Sequence, residues 1–310
     1  KPMNCPHHTQ IFAARPRSYR DLPLRYSEVT TCYRDENTGQ LQGLTRVRSL
    51  TQDDAHLFCR PDQTKDEILG LYKIITTFYQ AFGMPLRVRL STRDPRHPEK
   101  YLGSDEVWEN AQRLLAEIMV EVGQTVENGE GEAAFYGPKL DFIAKDAIGR
   151  EWQLATIQLD FNLPERFQLE YTAADGTKQR PVMVHRAILG SVERFMGIVI
   201  EHFAGAFPLW LAPVQVAILP VADRHIEFAQ TLAKEFRAVG LRVEVDDSPE
   251  SVGKKIRNAE KMKYPRMLVV GDKEASGEAL TVRVRGEKDQ QSIEKEAFIK
   301  QALEQTKNRA

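Results

Sequence analysis

The sequence predicts a two-domain chain of mixed class: an antiparallel β-sheet flanked by helices (α+β) over residues 1–211, then an α/β unit with a mixed sheet over 212–310. Three observations carry this. Two strand-like runs, Phe135 to Ala144 and Glu151 to Phe161, flank the turn Asp146-Ala147-Ile148-Gly149, as in an antiparallel hairpin. After Phe207-Pro208-Leu209-Trp210-Leu211-Ala212-Pro213, strands and helices alternate at short intervals, the mark of a compact α/β unit. The 310 residues, 42% hydrophobic and 28% charged, suffice for two separate cores.

The elements follow in order. Residues 1–62 read as extended segments and turns, with Pro16 and Pro23 as punctuation and a strand over Glu28 to Tyr33. Thr64-x-x-Glu67 reads as a capping box opening a helix on which Ile68, Leu71, Ile74, Ile75, Phe78 and Phe82 keep helical spacing. A strand over Leu86 to Leu90 precedes a helix from about Asp105, with Val107, Trp108, Ala111, Leu114, Leu115, Ile118 and Val122 facing a core. The strand Pro181 to His185 leads into a helix ending near Gly205. In the second domain, strands are expected at Val214–Val221, Leu241–Val245, Met267–Val270 and Leu280–Val284. Helices are expected at Ile226–Val239, Val252–Met262 and from Ile293 onward.

Composition excludes some classes. The 43 basic and 44 acidic side chains leave a net charge of -1, so no global basic field signals nucleic acid. A local bias exists, because residues 1–48 hold seven Arg and one Lys against two Asp and two Glu. Three cysteines, Cys5, Cys32 and Cys59, are too few and too odd in number for a disulfide scaffold, which points to a reducing, cytoplasmic setting. The longest apolar run, near Met196 to Ile200, is far short of a bilayer span. The first residue is Lys1 rather than Met, and the sequence is expected to be part of a longer one.

Chemistry concentrates between Tyr33 and His56. Arg34 and Arg46 come from opposite arms of one polar turn and can reach the same phosphate group, with Glu36 on the side of Arg34. A surface ion-pair ladder is the alternative. Cys5, His56 and His185 can supply three metal ligands and leave an open position, although Cys5 with His8 reads as well, and a buried thiol with hydrogen-bonded histidines is the plainer account. Gln153, Thr156 and Gln158, with Tyr136 and Lys139 before them, are polar groups in apolar strands that need partners, either a ligand or one another. Gly190-Ser191-Val192-Glu193-Arg194 opens a helix whose free N–H groups and Arg194 suit an anion.

Together these strings resemble the class II threonyl-tRNA synthetases. The resemblance is carried by Pro2-Met3-Asn4-Cys5-Pro6-His7-His8, Ser18 to Arg25, Arg46-Val47-Arg48, Thr51 to His56, Phe135-Tyr136-Gly137-Pro138-Lys139, Gln158-Leu159-Asp160-Phe161 and His185 to Ser191, in order over nearly the whole chain. It implies a class II synthetase antiparallel β-sheet domain over 1–211 and an α/β anticodon-binding domain over 212–310. The editing region and the motif 1 segment of the family's homodimer interface would precede Lys1. It implies activation of L-threonine with ATP and Mg2+, and transfer to the 3′ end of tRNA(Thr). It also assigns roles: Arg34, Glu36, Arg46, Leu50, Gln153, Thr156 and Arg194 on ATP, with Arg34 and Arg194 catalytic. Cys5, His56 and His185 would hold one Zn2+, and Gln52, Asp54, Tyr136, Lys139 and Gln158 would contact threonine. Arg257, Glu274 and Arg283 would read the anticodon.

Three positions depart from the family's usual pattern: Leu50 in place of an aromatic, Leu154-Ala155 in place of Cys-Gly, and Pro249 in place of Asn. The rival readings are a non-catalytic synthetase-like fragment that binds RNA or a partner, and another class IIa synthetase.

Overall fold

The computed structural model of the chain describes residues 1–146 and 148–309; Ala147, within the expected turn, and Ala310, at the end of the expected second domain, lie outside the described residues. Two compact units result, 1–199 and 200–310.

In the first unit the N-terminal stretch, expected to be extended, is helical: α1 (Cys5–Ala13) has Pro6 in its first turn, where a missing N–H costs nothing. His8, Thr9 and Phe12, at helical spacing, are its buried face. There follow β1 (Leu24–Tyr33), β2 (Ser49–Cys59), α2 (Thr64–Ala81), β3 (Arg87–Thr92), α3 (Asp105–Glu121) and β4 (Val126–Glu130). Next come β5 (Lys139–Lys145), β6 (Glu151–Asp160), α4 (Asn162–Arg166), the two-residue strands β7 (Tyr171–Thr172) and β8 (Lys178–Gln179), β9 (Val182–Ala187) and α5 (Val192–His202).

Several expectations need correction. No capping box opens α2: Thr64 lies inside the helix with its hydroxyl donating to the Arg60 carbonyl, while both Glu67 carboxylate oxygens take the Arg25 guanidinium at 2.6 and 2.7 Å. A charge-assisted fork outweighs a local cap. Ile74, counted with the apolar stripe, is exposed. Strand β4 has no expected counterpart; its Asn and Gly hide it, and pairing with β3 supplies what propensity does not. The run from Phe135 becomes a strand only at Lys139. The turn between β1 and β2 is a long connection over residues 34–48, not a tight hairpin.

The sheet runs β1-β2-β9-β6-β5-β3-β4, antiparallel throughout except for the β3–β4 pair. Side chains directly opposite one another share a face, so the register builds the site. His56 faces His185, His185 faces Gln158, and Gln158 faces Lys139; one step along, Thr156 lies between Ala187 and Asp141. Phe12 of α1 stacks on Phe58 of this face at 4.7 Å, within a small core of Leu22, Leu169, Tyr171 and Met183. Residues of opposite parity point away, toward α2 and α3, whose buried side chains include Ile68, Ile75, Tyr79, Trp108 and Ile118.

The second unit contains β10 (Val216–Pro220), α6 (Ile226–Ala238), β11 (Val243–Val245), α7 (Val252–Lys261), β12 (Arg266–Val270), α8 (Asp272–Ala275), β13 (Leu280–Val284), β14 (Gln290–Ile293) and α9 (Lys295–Asn308). Ile293 therefore ends a strand rather than starting the last helix. The order is β11-β10-β12-β13-β14, with the first three parallel and the last two pairings antiparallel. Val216 and Ile218 pack with Phe236 and Phe298 on one face, and Ala217 and Leu219 with Ala259 on the other. Among the described residues, no helix is long and apolar enough to cross a membrane.

Candidate active site and metal centre

Two cavities adjoin on the site face of the first unit. One, of about 240 Å³, is lined by Arg34, Glu36, Arg46, Leu50, Gln153, Thr156 and Arg194, all seven residues expected on ATP. The other, of about 290 Å³, is lined by Cys5, Gln52, Asp54, His56, Tyr136, Gln158 and His185. Arg34, Gln52, Thr156 and Ala187 line both.

The long connection over residues 34–48 lines the first cavity with Arg34 and Arg46, both of which remain exposed to solvent. Arg46 pairs with Glu36 at 2.8 Å, and Arg48 donates to the Glu36 carbonyl. Arg194, at the start of α5, donates to the Thr45 carbonyl at 2.7 Å. Burial, and then repulsion from Arg46 and Arg34, makes the protonated Arg194 less favourable than an ordinary guanidinium. Cations held together against their mutual repulsion favour an anion between them. The ion-pair account is also partly right, since Glu36 already holds one of the three.

Gln153 reaches this cavity by an irregularity. Register shifts between Phe142 and Ile143, so that Ile143 pairs with Gln153 and Leu154 is left unpaired. The bulge returns Gln153 to the site face, which simple alternation would deny it. Its amide donates to Asp141 Oδ1 at 2.6 Å, and Thr156 donates to the same oxygen at 2.8 Å. Asp141 also takes Ser91 and Lys139, each through Oδ2. The polar network is therefore internally satisfied and lines a cavity at once. Lys139, expected near threonine, is turned to Asp141 and lines neither cavity.

In the second cavity, Cys5, His56 and His185 present ligand atoms that all lie within 4.8 Å of one another. Cys5 Sγ is 3.1 Å from His56 Nε2 and 3.6 Å from His185 Nδ1. A thiol with two imidazoles, converging on a cavity, is a donor set that could hold a metal ion with one side left open. Each histidine's remote nitrogen is engaged: His185 Nε2 lies 2.9 Å from Asp160 Oδ2, and His56 Nδ1 lies 2.7 Å from His8 Nδ1. Burial, then the neighbouring His185 and His8, pushes His56 toward its neutral form; for His185, burial acts the same way but Asp160 and Cys5 outweigh it and raise its proton affinity.

Asp54 accepts from Asn4 Nδ2 at 3.0 Å, and burial raises its pKa against that bond. Tyr136 donates its hydroxyl to Gln158. Among the described residues the Gln52 side-chain oxygen is buried without a hydrogen-bond partner, in the wall common to both cavities. Gly137 is dictated by space, because a Cβ there would stand 1.9 Å from the Leu159 carbonyl oxygen.

Sequence reasoning missed the supports. Asp53, adjacent to Asp54 but of opposite parity, takes the Ile188 and Leu189 amides at 3.0 Å and Arg186 at 2.5 Å, bracing the turn before α5. Glu193 accepts from the Thr51 amide and Ser191. Asn4, Asp141 and Asp160 were likewise unassigned; strand parity was the available signal for Asp53, and no local signal marks the others.

The anticodon candidates are not gathered in one cavity. Arg283 lines a cleft with Glu260 and Tyr264 and has a buried Nε without a partner among the described residues; Arg257 lies exposed on α7. Glu274 is spent on the Gly271 amide and the Thr281 hydroxyl.

Residues 1–203 match the tRNA synthetase class II core domain (G, H, P, S and T), and residues 215–305 match the anticodon binding domain. The chain is 53% identical over 313 residues to a threonine--tRNA ligase of Deinococcus deserti, covering 100% of this chain and 48% of that protein. It is 55% identical over 290 residues to one from Porphyromonas gingivalis, covering 93% and 44%. It thus spans about half the length of the curated relatives it matches. The solved RNA binding domain of threonyl-tRNA synthetase from Cryptosporidium parvum superposes with a TM-score of 0.92 at 37% identity, covering 98% of this chain and 76% of that one. The profile over residues 1–203, together with this structural relative, shows that the chain belongs to the threonyl-tRNA synthetase family of class II tRNA synthetases.

Proposed function

We propose that the chain carries the catalytic core and anticodon-binding domain of a threonine--tRNA ligase, which activates L-threonine with ATP and esterifies it to the 3′ end of tRNA(Thr). The observation that carries this reading is the shared wall. A cavity ringed by Arg34, Arg46 and Arg194 abuts one built on Cys5, His56 and His185, with Arg34 and Gln52 lining both. Adenylation needs that adjacency, because a threonine carboxylate oxygen attacks the α-phosphorus, the P–O bond to the β-phosphate breaks, and pyrophosphate leaves.

In this reading Arg34 spans the α-phosphate and the carboxylate, Arg46 and Arg194 hold the remaining phosphates, and Glu36 takes the adenine amino group. Leu50, Gln153 and Thr156 line the nucleotide's seat. No side chain acts as nucleophile; alignment and charge neutralisation carry the rate, with Mg2+ accompanying ATP. Cys5, His56 and His185 would hold Zn2+, which when bound supplies a Lewis-acid position for the amino group and hydroxyl of threonine. Asp54 accepts from that hydroxyl. Gln52, with its unpartnered oxygen, and the linked Tyr136 and Gln158 face the amino group, while Lys139 acts through Asp141. Valine, isosteric but without a hydroxyl, leaves Asp54 unanswered, which a polar site penalises heavily.

Arg257, Glu274 and Arg283 would read splayed anticodon bases. The 18 basic against 16 acidic side chains from Ala212 on favour base contacts over a phosphate-driven grip. The functional boundary near Leu211 and a cytoplasmic location belong to the same proposal. Threonine-dependent ATP–pyrophosphate exchange tests it. Exchange with threonine and not with valine is expected; folded, zinc-loaded protein without exchange would leave a binding fragment instead.

A further inference from the structure

We propose that His8, backed by Glu28, is a positioning residue that fixes the tautomer and ring orientation of His56 and thereby sets how tightly Cys5, His56 and His185 hold their metal. The inference rests on the metal reading above and concerns residues that line neither cavity.

With a metal on His56, the ring protons of His56 and His8 have one consistent placement. His56 turns Nε2 toward Cys5 Sγ at 3.1 Å, so the lone pair available to a metal must be on Nε2 and the ring proton on Nδ1. That Nδ1 lies 2.7 Å from Nδ1 of His8, which must therefore accept. The proton of a neutral His8 is then on Nε2, and Nε2 faces Glu28 Oε1 at 3.1 Å. His56 donates to His8 and His8 donates to Glu28, with no proton misplaced. The reverse tautomers would aim a proton from His56 at Cys5 and a bare nitrogen of His8 at a carboxylate.

Helix spacing and strand pairing build the chain. Cys5 and His8 lie three apart on α1, so the ligand and the positioning residue share one helical face. Glu28 on β1 sits directly opposite Asp54, beside the Tyr26–His56 pair. His8 is 4% exposed and its ring meets His56 edge-on at 4.9 Å, which leaves bulk water little part in satisfying it. His185 has the same arrangement in shorter form, with Asp160 directly on its remote nitrogen. A carboxylate behind each metal-facing imidazole is how such rings are oriented and made better donors. His8, which the sequence allowed as a ligand, stands behind the ligands instead of among them.

The test uses the full 310-residue chain. Zinc affinity is read by competition with a chromogenic chelator, and ligand geometry by the visible absorption of the cobalt-loaded protein, after metal-free melts establish that each variant folds. His8→Phe keeps the volume and removes the acceptor; its zinc affinity should fall about 10- to 100-fold, with a changed cobalt spectrum. His8→Asn, whose amide oxygen can accept from Nδ1–H, should recover most of that loss, and Glu28→Leu should weaken zinc less than His8→Phe. A His8→Phe variant matching the parent in affinity and spectrum, or a His8→Asn variant as weak as His8→Phe, overturns the proposal.

Should His8→Phe fail to fold, nitrogen-15 histidine spectra of the zinc-loaded parent decide. Metal on Nε2 and a proton on Nδ1 of His56 support the proposal, and the opposite assignment overturns it. A parent that binds no zinc overturns the metal reading as well, whereas a zinc-binding parent beside an unaffected His8→Phe overturns this inference alone.

Discussion

The two adjoining cavities are built on opposite principles. The arginine-lined one gathers like charges, Arg34, Arg46 and Arg194, and leaves part of their repulsion for a ligand to relieve. The Cys5–His56–His185 one gathers groups that are neutral or paired and holds each imidazole from behind, through Asp160 or through His8 and Glu28. In the proposed function the first takes the charged nucleotide, which comes and goes, and the second would hold a resident ion. Each makes a different prediction when cut.

The largest effect is expected at Cys5. Cys5→Ser should abolish zinc retention and threonine-dependent exchange together, checked by metal analysis and exchange on the same sample; zinc loss with exchange intact would sever the metal from the activity. Next in size, Arg34→Ala should lower kcat/KM for exchange about 100- to 1,000-fold, the usual loss for one charge-stabilising donor. Zinc content should stay unchanged, because Arg34 lines both cavities but ligates nothing. Zinc loss in Arg34→Ala would mean that the two cavities are one cooperative unit.

A smaller effect is expected where the turn before α5 is braced. Asp53→Asn removes the charge that Arg186 meets at Oδ1 and that the Ile188 and Leu189 amides share at Oδ2, and turns one of those two oxygens into a donor facing donors. A stability loss of about 1–3 kcal/mol in denaturant melts is the expected cost of leaving such partners unsatisfied. Because Arg194 follows this turn, weaker ATP binding should accompany the loss, with zinc affinity unmoved.

The same contrast explains what the sequence revealed. Arg34, Glu36 and Arg46 lie within one short stretch and Arg194 in a recognisable helix opening, so the anion cavity could be read from local pattern. Cys5, His56 and His185 are brought together by α1 docking and by the β2–β9 register, which no spacing encodes; the residues allow that set beside Cys5 with His8, and the resemblance singles it out. The sheet's antiparallel hairpin and the α/β alternation after Pro213 were legible from periodicity. Helix α1 was hidden because Pro punctuation downstream argued for extended chain, and β4 because its strand state comes from pairing. Gln153 was expected at the site through the resemblance, yet only the bulge at Leu154 gives it the right face.

The smallest effect separates carboxylates held locally from those held across the fold. Asp146 is satisfied within its own hairpin: Oδ1 accepts the Ile148 and Arg150 amides, and Oδ2 accepts Arg150 Nε at 2.6 Å and Trp152 Nε1 at 2.8 Å. Burial alone would raise its pKa, but the Trp152 and Arg150 bonds outweigh it and hold the carboxyl down at about 2. An unfolded chain titrates this group near ~3.9, so the folded state binds its proton less readily. The stabilisation is thus complete above the unfolded value and is lost as pH falls from about 4 through about 2. In Asp146→Asn this part of the acid limb should flatten, with denaturant melts at stepped pH showing a smaller loss of stability than in the parent across that window. Zinc affinity and exchange at neutral pH should be untouched, because the partners of Asp146 all lie at this hairpin end and neither cavity includes it. A parallel acid limb in both proteins would mean that the hairpin's hydrogen bonds hold as well to an amide as to a carboxylate.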